Sequence, residues 1–244
     1  MDILGIIPAR YASTRFPGKP LVEIKGKTMI RRVYEQASQA GSLSQIVVAT
    51  DDERIAEEVR NFGGQYILTA SDHQSGTDRC AEVAGLLPEF GAIINIQGDE
   101  PYIDPRQIEL LASCFLQPAT QLATLVKKIS GEHELFNPNI PKVVTSVTGE
   151  AIYFSRHPVP YLRNTATENW LEKHQYYKHI GIYGYRRDTL LEITRLPPSS
   201  LELAESLEQL RWLENNYRIV TKVTDIETIA IDTPEDLERL NSNL

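Results

Sequence analysis

The sequence predicts an α/β protein built on a mostly parallel, three-layer sheet, with a small lobe of β-structure and loops. Short apolar runs alternate with segments of helical period, which is typical of βα units on a parallel sheet. From about residue 140 to 186 this alternation gives way to a hairpin and an aromatic-rich stretch. The chain has 244 residues and neither an internal repeat nor a linker, so one domain is expected.

The first half of the chain is expected to supply most of the parallel sheet. Apolar runs predict strands at Ile3–Pro8, Gln45–Thr50, Tyr66–Leu68 and Ala92–Gln97. Between them, apolar side chains recur at helical spacing, first at Met29, Ile30, Val33 and Ala37 and then at Ile55, Val59 and Phe62. Thr77 is the predicted N-cap of a third helix, and Pro105 opens a fourth that runs to about Phe115.

The second half is expected to complete the sheet and to add the lobe. Strands are predicted at residues 121–129, 179–186, 218–224 and 228–231, and a hairpin at 142–147 and 151–155. Residues 157–178 have weak periodicity and are predicted to be a loop region. Residues 202–215 are predicted to form one amphipathic helix with its leucines inward, namely Leu203, Leu207, Leu210 and Leu213, and Pro234 to begin a terminal helix.

The composition excludes several classes of protein. A net charge of −8 argues against a general nucleic-acid binder, and no apolar run approaches the length of a membrane helix. Cys80 and Cys114 are unpaired in sequence and no histidine has zinc spacing, so reduced thiols, no zinc site and a cytoplasmic location are expected. Residues 1–32 nevertheless carry a net charge of +5, which indicates one local anion site.

That basic opening centres on the loop after the first predicted strand, residues 8–20. Arg10, Arg15 and Lys19 supply three cations there, and Ser13 and Gly18 leave backbone N–H groups accessible. Such a set suits a triphosphate, because charge-assisted hydrogen bonds to phosphate are strong and selective. The loop is not a Walker A motif, and no GxGxxG follows the strand, which disfavours a dinucleotide-dependent reductase. A solvated basic loop is the alternative interpretation.

Two aspartates follow predicted strands and are expected to meet at the same edge of the sheet. Asp99 lies just past the strand ending at Gln97, and Asp232 lies just past the last strand. One or two carboxylates with phosphate oxygens form a typical magnesium site, so we predict that Asp99 and Asp232 bind Mg²⁺. Alternatively, Asp232 is the N-cap of the last helix and Asp99 an ordinary turn residue.

Three further groups of polar residues are candidates for ligand contacts. Residues 72–78 lead into a helix N-terminus, where the Gln74 amide can both donate to and accept from a cytosine edge, although a simple capped turn also explains this segment. His179, Gly181, Tyr183 and Tyr185 share one face of a strand, and Glu202, Glu205 and Gln209 share a stripe of the predicted helix. Arg156 follows a strand, where it is suited to binding a carboxylate.

The motifs together resemble those of the 3-deoxy-manno-octulosonate cytidylyltransferases, also called CMP-KDO synthetases. The resemblance rests on IIPARYASTRFPGKPL, DHQSGTD, NIQGDEP, YFSR, HIGIYGYR, LEQLR and IDTPEDL, which occur in order along nearly the whole chain. It implies a reaction of CTP with the eight-carbon sugar acid KDO, giving CMP-KDO and diphosphate for lipopolysaccharide biosynthesis. It also implies a nucleotide-binding α/β domain, Mg²⁺ and a cytoplasmic homodimer, with residues 140–186 contributing to the dimer interface.

The resemblance also assigns roles to residues. Lys19, Asp99 and Asp232 would be catalytic, and the last two would bind the metal. The nucleotide would be bound by Arg10, Ser13, Arg15, Lys19, Gln74, Ser75 and Gly76, and the sugar acid by Arg156, His179, Tyr183, Glu202 and Gln209. We expect the anomeric hydroxyl to attack the α-phosphorus in line, with no covalent intermediate. The alternatives are a related acceptor (sialic acid or 8-amino-KDO) and a non-catalytic CTP-binding sensor.

Overall fold

The computed structural model describes residues 1–12, 16–231 and 233–243 of the chain. Its strands are β1 (Ile3–Ala9), β2 (Glu23–Ile24), β3 (Lys27–Thr28), β4 (Gln45–Thr50), β5 (Tyr66–Leu68), β6 (Ala92–Asn95), β7 (Leu122–Lys128), β8 (Lys142–Thr145), β9 (Ala151–Ser155), β10 (Tyr177–Arg186) and β11 (Ile219–Val223). Its α-helices are α1 (Met29–Ala37), α2 (Glu53–Asn61), α3 (Gly76–Leu86), α4 (Pro105–Ser113), α5 (Glu132–Leu135), α6 (Trp170–Lys173), α7 (Arg187–Ile193), α8 (Ser200–Glu205), α9 (Gln209–Glu214) and α10 (Pro234–Asn243). Short 3₁₀ turns occur at Lys19–Leu21, Cys114–Leu116 and Thr167–Asn169.

A mixed, mostly parallel sheet forms the centre of the molecule. Its strand order is β11-β7-β10-β6-β1-β4-β5, with β8 and β9 attached beside β10. Strands β6, β1, β4 and β5 run parallel to one another, and β11 runs parallel to β7. Strand β10 is antiparallel to both β6 and β7. The predicted fold class, an α/β sheet with flanking helices, is therefore confirmed.

Alternating side chains of the central strands pack into two cores, one on each side of the sheet. On β1, Ile3 and Ile7 face the core under α1, α2 and α4, whereas Leu4 and Ile6 face the core under α3, α7 and α9. A strand that is apolar on both faces has to be covered by helices on both sides. This is the physical reason for the three layers.

The edge at the carboxyl ends of β1, β4 and β6 positions the site. Because β10 runs antiparallel to β6, with Tyr183 opposite Asn95, the residues before Tyr183 extend past the same edge. The loops after the parallel strands and the first half of β10 therefore meet there. In open α/β sheets this edge is the usual place for a ligand.

The predicted helix at residues 202–215 is wrong as a single element. Helix α8 ends at Glu205, Ser206 adopts a left-handed conformation (φ 52°), and α9 begins at Gln209. The carbonyls of Glu205 and Ser206 accept hydrogen bonds from the Arg156 guanidinium, a contact between distant parts of the chain that replaces helical bonding. Consequently Leu203 is 70% exposed, not turned inward as predicted.

Two smaller predictions are also wrong. Ser75, not Thr77, is the N-cap of α3, since its hydroxyl accepts from the Asp78 N–H and the Asp78 carboxylate accepts from the Ser75 N–H. Residues 228–231 form no strand; the Ile231 N–H bonds to the carbonyl of Asp99 instead of to a neighbouring strand. Helix α7, which the sequence patterns did not predict, follows β10 directly and packs on α3.

The hairpin and the loop region agree with expectation. Strands β8 and β9 pair antiparallel, and Gly149 closes their turn with a positive φ of 81°. Residues 157–176 contain a single 3₁₀ turn and the four-residue helix α6, around the buried Trp170 and Tyr176, and β10 begins at Tyr177, two residues before the predicted strand. Within residues 1–12, 16–231 and 233–243, no helix has the length and apolar character needed to cross a membrane.

Candidate functional site

Two cavities lie side by side at the carboxyl edge of the sheet. The first has a volume of about 250 Å³ and lies between the loops after β1, β5 and β6. The second has a volume of about 320 Å³ and lies between β6, β10 and the turn before α9. Gly76, Gln97 and Asp99 line both cavities. The edge therefore offers two adjacent binding spaces with a shared wall.

The first cavity brings together six of the residues singled out in the sequence. All of them line it, namely Arg10, Lys19, Gln74, Ser75, Gly76 and Asp99. The loops approach closely because two glycines lie against Pro8 at the end of β1. A Cβ on Gly98 would lie 2.9 Å from the Pro8 carbonyl oxygen, and a Cβ on Gly76 would lie 3.2 Å from the proline ring. Larger residues there would push the three loops apart.

Lys19 and Asp99 form the central ion pair of the site. Lys19 Nζ donates to Asp99 Oδ2 over 2.8 Å, with the side chains 16% and 27% exposed. Lys19 begins the 3₁₀ turn after the basic loop, and Asp99 lies in the turn after β6. The pair thus joins the predicted triphosphate loop to the predicted metal carboxylate.

The metal prediction involves one described carboxylate and one that is not described. The Ile231 N–H donates to the Asp99 carbonyl over 2.9 Å, which brings the chain immediately before Asp232 to the Asp99 turn. Asp232 itself, like Ser13 and Arg15 of the basic loop, lies outside the described residues. Among the residues that are described, no three His, Cys, Asp or Glu side chains are grouped as metal ligands. A carboxylate facing a phosphate-type cavity fits Mg²⁺, which takes one or two carboxylates and completes its shell with phosphate and water oxygens.

Gln74 and Ser75 are ordered by local hydrogen bonds. Gln74 Nε2 donates to the Asp72 carbonyl over 2.8 Å, which leaves the amide oxygen of this exposed side chain for a ligand. Ser75 and Asp78 cap the N-terminus of α3 reciprocally. Helix α3 therefore directs its positive dipole end at the first cavity, where a negatively charged ligand is favoured.

Two lining residues of the first cavity were not predicted from the sequence. Arg79 is only 4% exposed and pairs with Asp51 at 3.1 Å, just after β4. His73 Nε2 lies 2.5 Å from Glu82 Oε2, which also accepts from the Ala70 N–H. His73 belongs to the segment 72–78 that was predicted to contact the nucleotide, and Arg79 follows it directly. Arg79 is oriented by Asp51 from the end of another strand, and His73 by Glu82 of α3.

Three residues that line the second cavity carry a buried polar atom without a hydrogen-bond partner among the described residues. These atoms are Asn95 Oδ1, Glu100 Oε2 and the Tyr183 hydroxyl. Burial and the neighbouring Asp99 carboxylate raise the pKa of Glu100 to about 8. Since an unpaired buried polar atom is costly, this wall is suited to a ligand rich in hydroxyl groups.

Glu208 is a second acidic residue of this cavity that the sequence patterns did not predict. It accepts from the Thr77 hydroxyl over 2.7 Å, and burial raises the pKa of its carboxyl group. Its position depends on the break at Ser206, which separates α8 from α9 and places residue 208 just before α9. The motif LEQLR contains Glu208, but a continuous helix over residues 202–215 predicts its neighbour Gln209 instead, on one stripe with Glu202 and Glu205.

The five residues predicted to bind a sugar acid are not all at the second cavity. Tyr183 lines it. The buried Gln209, next to Glu208 in sequence, has an Nε2 without a hydrogen-bond partner in the part of the chain that the structure describes. His179 lies behind Tyr183, with ring centroids 5.1 Å apart. Its half-buried imidazole contacts the Thr124 hydroxyl at 2.9 Å, and burial lowers its pKa to about 3.

Arg156 and Glu202 are engaged elsewhere. The Arg156 guanidinium donates to the carbonyls of Glu205, Ser206 and Pro138, at 2.6, 3.1 and 3.0 Å. Glu202 accepts from Arg211 Nε over 2.7 Å and from the Ser199 N–H over 3.2 Å. Neither side chain lines the two cavities described above. Arg156 instead fixes the turn that carries Glu208.

Comparison with known proteins agrees with this geometry. Residues 4–225 match the model of the cytidylyltransferase family. The chain is 58% identical over 242 residues to the 3-deoxy-manno-octulosonate cytidylyltransferase of Cytophaga hutchinsonii, covering 98% of this chain and 96% of that protein. It is 49% identical over 254 residues to the same enzyme of Geobacter sulfurreducens, covering both chains completely.

Solved structures give the same result. A CMP:2-keto-3-deoxy-manno-octonic acid synthetase in complex with CTP superposes with a TM-score of 0.92 and 45% identity, covering 100% of this chain and 98% of that one. The 4-diphosphocytidyl-2C-methyl-D-erythritol synthase of Anaerococcus prevotii has a TM-score of 0.63 at 11% identity, which indicates a shared fold alone; it covers 99% of this chain and 97% of that one. The chain belongs to the cytidylyltransferase family, among the 3-deoxy-manno-octulosonate cytidylyltransferases.

Proposed function

We propose that this protein transfers CMP from CTP to 3-deoxy-D-manno-octulosonate, giving CMP-KDO and diphosphate for lipopolysaccharide biosynthesis. A bond forms between the anomeric oxygen of the sugar acid and the α-phosphorus, and the proton of that hydroxyl is released to solvent. The bond from that phosphorus to the bridging oxygen of the diphosphate breaks. Two lines of support are the names of the relatives, at 58% and 49% identity, and the CTP complex of the similar structure.

One observation carries the proposal. Asp99 lies in the shared wall of two cavities, one bordered by cations and a helix N-terminus, the other by unpaired polar atoms. A group-transfer enzyme needs adjacent sites for donor and acceptor, because holding the reactants together supplies much of the rate. The first cavity suits CTP and the second suits the sugar acid, so the α-phosphate would lie near Asp99.

In the nucleotide site, the cations of the opening loop would act on the triphosphate. We assign Arg10, Ser13, Arg15 and Lys19 to it, and Gln74, Ser75 and Gly76 to the nucleoside side. Lys19 would neutralise charge that develops on the departing diphosphate, since it is fixed at the border of the cavity by its ion pair with Asp99. No covalent intermediate is required.

The metal is a further part of the proposal. Asp99 and Asp232 would hold Mg²⁺, as the carboxylate and phosphate oxygens there are the ligands that this ion prefers. When bound, Mg²⁺ would neutralise phosphate charge and lower the pKa of the acceptor hydroxyl. Lys19 and Asp99 would keep the nucleotide oriented, and the walls of both cavities would limit access of water to the phosphate.

In the acceptor site, Tyr183 is the predicted residue with the strongest support, because it lines the second cavity and its buried hydroxyl has no partner among the residues that are described. Asn95, Glu100 and Glu208 join it on the same grounds of position. Arg156, His179, Glu202 and Gln209 stay predictions from the resemblance. For Arg156, three of its five N–H donors are used by carbonyls, which leaves two for a substrate carboxylate.

A homodimer, a cytoplasmic location and a single nucleotidyltransferase domain over residues 1–244 complete the proposal. For the dimer, the lobe at 140–186 offers three exposed apolar side chains, Val147, Ile152 and Tyr161. Light scattering on the purified chain tests this directly. A monomer at micromolar concentration would exclude the dimer.

Diphosphate release from CTP, KDO and Mg²⁺ tests the reaction. We expect release only when all three are present, and loss of release with a chelator. Asp99→Asn should lower kcat about 100-fold or more, whereas the matched variant Asp188→Asn, at a side chain that is 86% exposed, should not. Equal turnover by Asp99→Asn would remove this carboxylate from the mechanism.

The same assay separates the alternatives. Preference for sialic acid or 8-amino-KDO over KDO would change the acceptor and keep the chemistry. Calorimetric binding of CTP without diphosphate release from any of these acids would indicate a nucleotide sensor.

A further inference from the structure

The basic loop is closed by a neck formed by Tyr11 and Gly18. The Gly18 N–H donates to the Tyr11 carbonyl over 3.0 Å, so that the chain enters and leaves the loop at one place. Arg10 lies just before this neck and Lys19 just after it, and both line the nucleotide cavity. The geometry of the neck therefore determines where these two cations point.

The Tyr11 ring packs directly on Gly18. Gly18 has a positive φ of 71°, and a Cβ added to it would lie 3.2 Å from the ring carbons and hydroxyl of Tyr11. A residue with a side chain would be strained at this φ and would also press on the ring. The close approach of ring and glycine makes the neck narrow.

Arg54 covers the face of the same ring. Its guanidinium carbon lies 3.3 Å from the centroid of Tyr11. The guanidinium is itself fixed by two parallel hydrogen bonds to Asp52, from Nε at 2.9 Å and from Nη2 at 2.6 Å. Asp52 is the N-cap of α2, so its carboxylate is anchored by the Arg54 N–H as well.

These contacts form a continuous series from the start of α2 to the reaction centre. Asp52 holds Arg54, Arg54 covers Tyr11, Tyr11 packs on Gly18, and the next residue, Lys19, donates to Asp99. The stack lies outside the linings of both cavities described above, so it would act through the loop. Cation–π contacts are strongest where the guanidinium lies close over the ring face, as it does here.

We propose that the stack of Arg54 on Tyr11 is a positioning element that holds the neck of the triphosphate loop and so sets Arg10 and Lys19 for CTP, an inference that rests on the function proposed above. Tyr11 and Arg54 are positioning residues in this proposal, without contact to the reacting atoms. The ring, and not the hydroxyl, provides the support.

Four variants of the full chain test this. Tyr11→Leu removes the ring and Tyr11→Phe keeps it, while Arg54→Gln removes the covering cation. Arg60→Gln is the matched control, because Arg60 lies on the same helix and covers another tyrosine, Tyr66, at 5.3 Å. Each variant is compared for CTP affinity by calorimetry, KM and kcat by diphosphate release, thermal midpoint, and hydrogen exchange of the Gly18 amide without nucleotide.

We expect Tyr11→Leu to weaken CTP binding and raise the KM for CTP tenfold or more, with little change in the KM for the sugar acid or in the thermal midpoint. Exchange at Gly18 should become faster. The KM for CTP of Tyr11→Phe should stay within threefold of the wild-type value. That of Arg54→Gln should lie between the values of Tyr11→Phe and Tyr11→Leu, and that of Arg60→Gln should equal the wild-type value.

Wild-type CTP affinity in Tyr11→Leu would overturn the proposal, and so would a loss in Tyr11→Phe as large as that in Tyr11→Leu. Unchanged exchange at Gly18 in Tyr11→Leu would also overturn it. If the wild type binds CTP but releases no diphosphate, the proposed reaction fails, whereas the binding and exchange comparisons still decide the role of the stack.

Discussion

The environment of the Glu100 carboxyl group predicts how the free energy of unfolding depends on pH. Glu100 is 5% exposed, one of its oxygens has no hydrogen-bond partner, and Asp99 adds a negative charge beside it. Burial and this charge raise its pKa from 4.5 to about 8. Between these two values the folded protein holds a proton on Glu100 that the unfolded chain has released. The free energy of unfolding should therefore fall as the pH rises from about 5 to 8.

The size of the effect follows from the shift. A rise of the pKa from 4.5 to about 8 corresponds to about 5 kcal/mol in the free energy of unfolding. This contribution is fully present below pH 4.5 and is lost as the pH passes through 8. Glu100→Gln carries no titrating proton at this position. Between pH 5 and 8.5 its stability relative to the wild type should therefore increase by about 4 kcal/mol.

Urea unfolding between pH 5 and 8.5, in the presence of a chelator, measures this difference. The chelator is needed because a cation bound beside Glu100 would favour its ionised form. Other titrating groups are common to both proteins and cancel in the comparison. Glu89→Gln, at an exposed position, is the matched control and should give a curve parallel to the wild type.

Parallel curves for the wild type and Glu100→Gln would refute the reasoning. They would mean that Glu100 ionises in the folded protein as it does in the unfolded chain. If the stability of Glu100→Gln relative to the wild type decreased as the pH rises, the sign of the shift would be contradicted.

Three predictions concern packing and buried charge, and urea unfolding at pH 7 checks them all. Gly184→Ala would place a Cβ 2.5 Å from the Phe115 ring, and overpacking of this kind costs about 1–3 kcal/mol in the free energy of unfolding. An unchanged urea midpoint would contradict this prediction. Gly85 lies in α3 with open space around its Cα, so Gly85→Ala should stabilise the protein by about 1 kcal/mol, and a loss would be unexpected. Lys178→Met leaves the buried Glu134 without its ion partner, at a cost of about 3–5 kcal/mol, which adding Glu134→Leu should partly restore.

Much of the fold could be predicted from local patterns. The strands of the parallel sheet were predicted to within about two residues, because a strand buried on both faces is a short, nearly continuous apolar run. The helix at residues 202–215 failed because its leucine spacing contains no sign of the break. That break depends on Arg156, which is 50 residues away and bonds to the carbonyls of Glu205 and Ser206.

The nucleotide side of the site was more predictable than the acceptor side. Arg10, Lys19 and Asp99 follow strands whose carboxyl ends meet, so their position along the chain already indicated where they would lie. Arg79 and Glu208 carry no such signal, and Glu100 follows the same strand as Asp99 but has nothing in its sequence pattern that indicates burial. Acidic and basic residues are common on helix surfaces, and only packing reveals which of them are buried beside a cavity.

By itself the sequence determined the alternation of strands and helices, the two apolar faces of β1 and the basic loop that follows it, since these depend on residues near one another in the chain. Only the tertiary structure decided that Lys19 pairs with Asp99, that two cavities share the Asp99 wall, and that Glu208 replaces Glu202 beside Tyr183. The physical reason is that burial, and contacts between residues distant in sequence, are properties of the packed chain and leave no period in the sequence.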